Sequence, residues 1–104
     1  MDDLLAKFLP QFVTLARSRV AVALTAVTQR DQAATTKVVR DLHTLAGEAG
    51  LLGLSSIVPL ARDCELKAKQ LQGSRADADI EVFVAALRQL AGVIEGIAVP
   101  TPPA

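Results

Sequence analysis

The sequence has no tryptophan, no tyrosine and only 3 phenylalanines among its 104 residues. Its hydrophobic content of 51% must therefore come almost wholly from aliphatic side chains, and an aliphatic core of this kind is most naturally built between helices. No strand-like alternation of apolar and polar residues runs along the chain. The length suits one domain that buries a single core without disulfides or metals.

An excess of charge is also lacking, because 11 basic residues balance 11 acidic residues. Such a chain has no net field to attract nucleic acid or an anionic membrane, so we expect protein partners. Cys64 is the only cysteine, which excludes an internal disulfide and suits a reducing compartment. The sequence shows no secretory signal and no apolar run of the ~20 residues that a membrane span needs. We therefore expect a cytoplasmic protein and, by default, a monomer.

Apolar residues recur at intervals of three and four along most of the chain, which is the spacing of amphipathic helices. This pattern predicts four long helices, near residues 11–28, 32–52, 56–71 and 79–97. A shorter apolar cluster at residues 4–9 predicts a helical cap, which Pro10 either separates from the first long helix or joins to it through a kink.

The segments between the predicted helices carry residues that favour helix ends. Asp31, and Ser55 or Ser56, can cap the starts of the helices that follow them, while Gly53 is typical of a position just beyond a helix C-terminus. Because the connections are short, consecutive helices should lie antiparallel. The sequence therefore predicts an all-α, antiparallel four-helix bundle with a short N-terminal helical cap over residues 1–97, followed by an extended Pro-rich tail or linker at residues 98–104.

His43, the only histidine, lies within the helix predicted near residues 32–52. The side of this helix that must be buried carries apolar residues at Ala34, Val38, Leu42, Leu45, Ala49 and Leu52. His43 lies about 140° from the centre of that side, which places the imidazole outward. A surface histidine without consequence is the alternative interpretation.

The side chains that share the His43 side of the helix are small, at Thr36, Val39, Ala46, Gly47 and Gly50. A glycine inside a helix costs about 0.5–1 kcal/mol relative to alanine, and the core does not need these two. The glycines make sense if a partner must come close to the helix backbone around the imidazole.

These residues resemble the motif of the histidine phosphotransfer (HPt) domain of two-component phosphorelays. That motif is a histidine followed by Leu at +2, commonly Lys at +3, Gly at +4 and Gly at +10, and His43, Leu45, Gly47 and Gly53 match it. The stretch LARDCELKAKQ at residues 60–70 resembles the family's next helix, and Asp31 stands where an acidic residue often precedes the histidine helix. Ala46 departs from the usual Lys, and Arg40, one turn earlier, is positioned to replace part of that phosphate contact.

The resemblance implies that His43 accepts a phosphoryl group, through Nε2, from a receiver-domain aspartate or a histidine kinase, and passes it to a response regulator. It also implies a phosphate-binding and docking surface that consists of Val39, Arg40, Ala46, Gly47 and Gly50. The chain contains no phosphate-binding loop for ATP and no metal-ligand spacing. We therefore expect a phosphoryl carrier and not an enzyme, with no cofactor of its own and with Mg²⁺ held by the receiver partner.

Two other functions are compatible with parts of this pattern. A helical adaptor that binds receiver or kinase domains without being phosphorylated is one, and Ala46 favours it. A dimerising histidine kinase core is the other, but the chain lacks the ATP-binding motifs that such a protein needs. Cys64 is expected in the core, whereas Glu65 and its neighbouring lysines are expected on a solvated helix face.

Overall fold

The structure is a computed structural model that describes residues 2–74 and 76–97. It contains four α-helices, α1 (Asp2–Thr28), α2 (Gln32–Leu51), α3 (Ile57–Leu71) and α4 (Asp77–Glu95). No strand occurs within these described ranges, and the predicted all-α four-helix fold is confirmed. The Pro-rich segment 98–104 lies outside the described residues.

The predicted N-terminal cap is not a separate element. Helix α1 runs without a break through Pro10, so of the two predicted arrangements the structure shows the one in which residues 4–9 join the first long helix. Proline removes one backbone hydrogen bond from a helix, but Leu9, Phe12 and Val13 on either side of Pro10 are all buried. Because both parts of α1 bury apolar side chains in the same core, packing holds them in one helix across the missing bond.

Helices α1 and α2 end in the same way, through a residue with positive φ. In α2, Gly53 has a φ of 71°, the Gly53 N–H donates to Gly50 O, and the Leu54 N–H donates to Ala49 O. This hydrogen-bond pattern is the Schellman motif, and it confirms Gly53 as the predicted stop. In α1 the equivalent residue is Arg30, with a φ of 54°.

The two predicted N-caps have different outcomes. The Asp31 carboxylate accepts a hydrogen bond from the Ala34 N–H at 3.1 Å, so this cap on α2 is confirmed. Ser56 has α-helical backbone angles and makes no side-chain cap to α3. The carbonyl of Leu54 instead accepts the first N–H groups of α3, those of Ile57 and Val58, which leaves the serine hydroxyl without a capping role.

Contacts between α2 and α3 show that these helices are antiparallel. Near the start of α2, Thr36 Oγ1 accepts a hydrogen bond at 3.3 Å from Gln72, beyond the end of α3. Near the end of α2, a Cβ placed on Gly50 would lie 4.0 Å from Val58, at the start of α3. Residue numbers therefore rise along α2 while they fall along α3.

Helices α1 and α4 also run antiparallel, and they close the bundle. Arg17, in the middle of α1, forms an ion pair with Glu95 at 2.7 Å, and Arg30, beyond the C-terminal end of α1, pairs with Asp77. Within the described chain, α1 packs on α2 and α4, and α3 packs on α2 and α4. Helix α2 is thus diagonal to α4, and the outer face of α2 points away from α4.

The core is predominantly aliphatic, as its composition indicates. No polar or charged residue that the structure describes is buried, and Cys64 lies in the core as expected. None of the described helices has the length and hydropathy needed to cross a membrane. The fully buried side chains of largest volume come from three of the four helices, at Leu42, Leu45, Ile57, Cys64, Phe83, Leu87, Leu90 and Ile94.

Candidate functional site

His43 projects from the outer face of α2, and its side chain is 77% exposed. The apolar residues predicted to lie opposite it are buried or half-buried, because the helical period fixes which side of α2 meets the core. The outward orientation expected from the helix period is therefore what the structure shows.

Glu65 of α3 holds one edge of the imidazole. Both carboxylate oxygens of Glu65 lie 3.2 Å from His43 Nδ1, and Lys69 Nζ lies 3.1 Å from Oε2 of the same carboxylate. The Glu65 side chain is only 12% exposed, in contrast to the exposed ring that it contacts. A single carboxylate thus joins an imidazole from α2 to an ammonium group one turn along α3.

The charge of Glu65 determines which ring nitrogen of His43 carries the proton. Burial acts to raise the pKa of Glu65, but the hydrogen bonds and positive charge supplied by Lys69 and His43 outweigh it, and the pKa lies below its ordinary value of 4.5. Glu65 is therefore ionised at neutral pH and can only accept hydrogen bonds. Nδ1 of neutral His43 must donate, and Nε2 keeps an unshared electron pair.

Glu65 is the residue of this site that the sequence interpretation missed, since it was assigned to a solvated face. A helical wheel locates a residue on its own helix but does not give the register between two helices. The signal in the sequence is the position of Glu65 within residues 60–70, the stretch that resembles the family's next helix.

The surface beside His43 is open along α2. Gly47 and Gly50 are both exposed, and a Cβ built on Gly47 would meet no atom within 4 Å. One turn further on, Leu51 is 85% exposed, although it is a large apolar side chain. The glycines therefore leave the helix backbone accessible, and Leu51 adds apolar area at the same surface.

Two of the residues predicted to line this surface are less accessible. Ala46 is only 4% exposed, so its methyl group presents little area to a partner or to a phosphoryl group. Val39 is half-buried. Both lie on the edge of α2 that faces α3, where His43 contacts Glu65, and the packing of α3 against that edge covers them.

Arg40 is exposed on the other side of His43, about 60° around the helix. Its side chain forms no ion pair with any residue that the structure describes. Lys37, by contrast, pairs with Asp41 at 2.6 Å. Arg40 is therefore the basic residue of α2 near His43 that is available to a negatively charged group.

The fold and the site together define a helical-bundle protein whose single imidazole is exposed and contacts a carboxylate through Nδ1. A family model described as Hpt domain matches residues 7–96, and the chain belongs to this family. Its members take part in histidine phosphotransfer in phosphorelays, as phosphotransfer carriers that interact with receiver domains and kinases. Comparisons with curated proteins and with solved structures gave no match.

Proposed function

We propose that His43 is the phosphoacceptor of this chain. It takes a phosphoryl group from the aspartate of a receiver domain, or from a histidine kinase, and passes it to a response regulator. The observation that carries this proposal is the contact of Glu65 with His43 Nδ1, because it leaves Nε2 as the exposed nucleophilic nitrogen. We place this activity in the cytoplasm, where Hpt proteins generally act.

The transfer step needs no base from this chain. The Nε2 electron pair attacks phosphorus, an N–P bond forms, and the P–O bond to the aspartate breaks, so that the receiver recovers its carboxylate. The Nδ1 proton stays in place, and the phosphorylated ring becomes an imidazolium. Glu65 stabilises that positive charge as it develops, because its carboxylate already contacts Nδ1. In the reverse step the same electron pair returns to the ring.

Most of the remaining charge neutralisation during transfer comes from the partner. No group of three or more His, Cys, Asp or Glu side chains that could hold a metal occurs in the described part of the chain. We propose that Mg²⁺ is bound by the receiver, where it neutralises the phosphoryl oxygens and the aspartate. In this proposal our chain contributes the nucleophile, its orientation by Glu65, and a surface for docking.

Docking takes place on the face of α2 around His43. Gly47 and Gly50 let the loops around the receiver's aspartate approach the helix backbone, and the exposed Leu51 supplies apolar contact. Arg40 lies at the edge of this surface and can contact phosphoryl oxygens or acidic side chains of the partner. A contact area of this kind suits a transient complex that forms and separates with each transfer.

The test is phosphoryl transfer from a panel of phosphorylated receiver domains of the same organism. We expect a label on the wild-type protein that is lost in acid and stable in base, and no label on a His43→Gln variant of unchanged circular dichroism. Receiver binding without any label would favour the adaptor function. Labelling from ATP without an added kinase would contradict the carrier role.

A further inference from the structure

Phosphorylated His43 presents a charge problem that the unmodified site does not have. The phosphoryl group carries up to two negative charges and lies beside a ring whose other nitrogen contacts the Glu65 carboxylate. A doubly charged group on an exposed surface is stabilised by guanidinium or ammonium groups within hydrogen-bond reach. Lys69 lies close to this ring because both contact Glu65, but its ammonium group already pairs with that carboxylate at 3.1 Å.

Arg62 of α3 lies on the same exposed surface. It is three residues before Glu65, so the Cβ atoms of the two residues are about 5–6 Å apart on neighbouring turns. Arg62 lies about 60° around α3 from Glu65 and is exposed. It forms no ion pair within residues 2–74 and 76–97, whereas Lys67 and Lys69 of the same helix both do.

The register of α2 and α3 sets the level of Arg62 relative to His43. Glu65 lies opposite His43, and Val58 lies opposite Gly50. Because the helices are antiparallel, Arg62 falls between these two levels, opposite Ala46, one turn of α2 from His43. Ala46 is small and only 4% exposed, and Gly50, which faces α3 beside it, has no side chain, so neither residue places a bulky side chain between Arg62 and the imidazole.

We propose that Arg62, acting from α3 opposite Arg40 of α2, binds the phosphoryl group on His43 and stabilises the phosphorylated state. The two arginines flank the imidazole from different helices, and both are without ion pairs in the described structure. A planar guanidinium can donate two parallel hydrogen bonds to phosphoryl oxygens. Arg62 therefore binds the transferred group, whereas Glu65 positions the ring. This inference rests on the proposed function.

An equilibrium measurement tests the role of Arg62 apart from any role in docking. A receiver that phosphorylates the wild-type protein is mixed with each variant until the distribution of phosphoryl groups is constant. The resulting equilibrium constant depends on the free energies of the phosphorylated and unphosphorylated forms of the two proteins, and not on how the proteins dock. We expect Arg62→Gln to shift it about 5- to 10-fold toward the phosphorylated receiver, and Arg62→Lys to shift it less.

Arg88 provides a matched control, since it is an exposed arginine on α4, the helix diagonal to α2. Arg88→Gln should leave the equilibrium unchanged. If Arg62→Gln also leaves the equilibrium constant unchanged, the proposed phosphoryl contact is wrong. This holds even if the rate of transfer falls, because a change of rate alone would assign Arg62 to docking. Absence of label on the wild-type protein would instead overturn the proposed function itself, and the role of Arg62 with it.

Discussion

Removal of the Glu65 carboxylate should slow phosphorylation of His43 without unfolding the bundle. The carboxylate oxygens lie 3.2 Å from Nδ1, and an imidazolium–carboxylate pair at that distance gains about 5 kcal/mol at an effective dielectric constant of about 20. Water around a ring that is 77% exposed screens most of this energy. We therefore expect a loss of about 1.5–3 kcal/mol, the usual range for a hydrogen bond to a charged group.

This loss corresponds to a phosphorylation rate about 10- to 100-fold lower in Glu65→Ala. Glu65→Gln should lose less, because its amide oxygen can accept a hydrogen bond from Nδ1–H but does not neutralise the imidazolium. The assay is phosphorylation by phosphoramidate, a small donor that needs no docking surface. Glu81→Ala is the matched control, since Glu81 is an exposed carboxylate on α4.

Nitrogen-15 NMR of the imidazole provides an independent measurement. The wild-type ring should carry its proton on Nδ1 at neutral pH, and Glu65→Ala should move the population toward the Nε2–H form. Wild-type rates in both Glu65 variants, together with an unchanged tautomer, would refute the role assigned to this carboxylate. Urea denaturation should show that the variants remain folded, because Glu65 lies at the edge of the core and, among the described residues, its carboxylate bonds to His43 and Lys69 alone.

Three further predictions concern other positions. Gly47→Leu should stabilise the protein by about 0.8 kcal/mol through helix propensity. The same variant should slow transfer from a receiver but leave labelling by phosphoramidate unchanged. The control is Gly92→Leu on α4, where a Cβ also meets no atom within 4 Å, and it should give the stability gain alone. Gly53→Ala should cost about 1 kcal/mol in urea denaturation because its φ is 71°, whereas Gly73→Ala, whose φ is not positive, should not. Burial, reinforced by Asp63, raises the pKa of Cys64 from 9.0 to about 12. The free energy of unfolding that depends on the neutral thiol is therefore fully present below pH 9.0 and is lost as the pH rises toward 12. Over this range the wild-type protein should lose up to about 4 kcal/mol more than Cys64→Ala. Equal pH dependence of the two proteins would contradict the last prediction.

The amino-acid sequence alone determined the four helices, the two ends of α2 and the outward direction of His43. The spacing of apolar residues gave four helices, Asp31 and Gly53 marked the two ends of α2, and the same period placed His43 outward. These features depend on the 3.6-residue repeat and on backbone preferences within a few residues, so they are local. The motif around His43 is local for the same reason, because all of its residues lie on one helix and its cap.

Only the tertiary structure decided what surrounds the imidazole. Glu65 meets His43 because the packing of α2 on α3 fixes one register out of several that their apolar faces permit, and the same packing buries Ala46. Pro10 likewise remains inside α1 because burial on both sides of it outweighs a local preference for a break. These outcomes depend on contacts between residues far apart in the chain, and the period of one helix carries no information about where its neighbour sits.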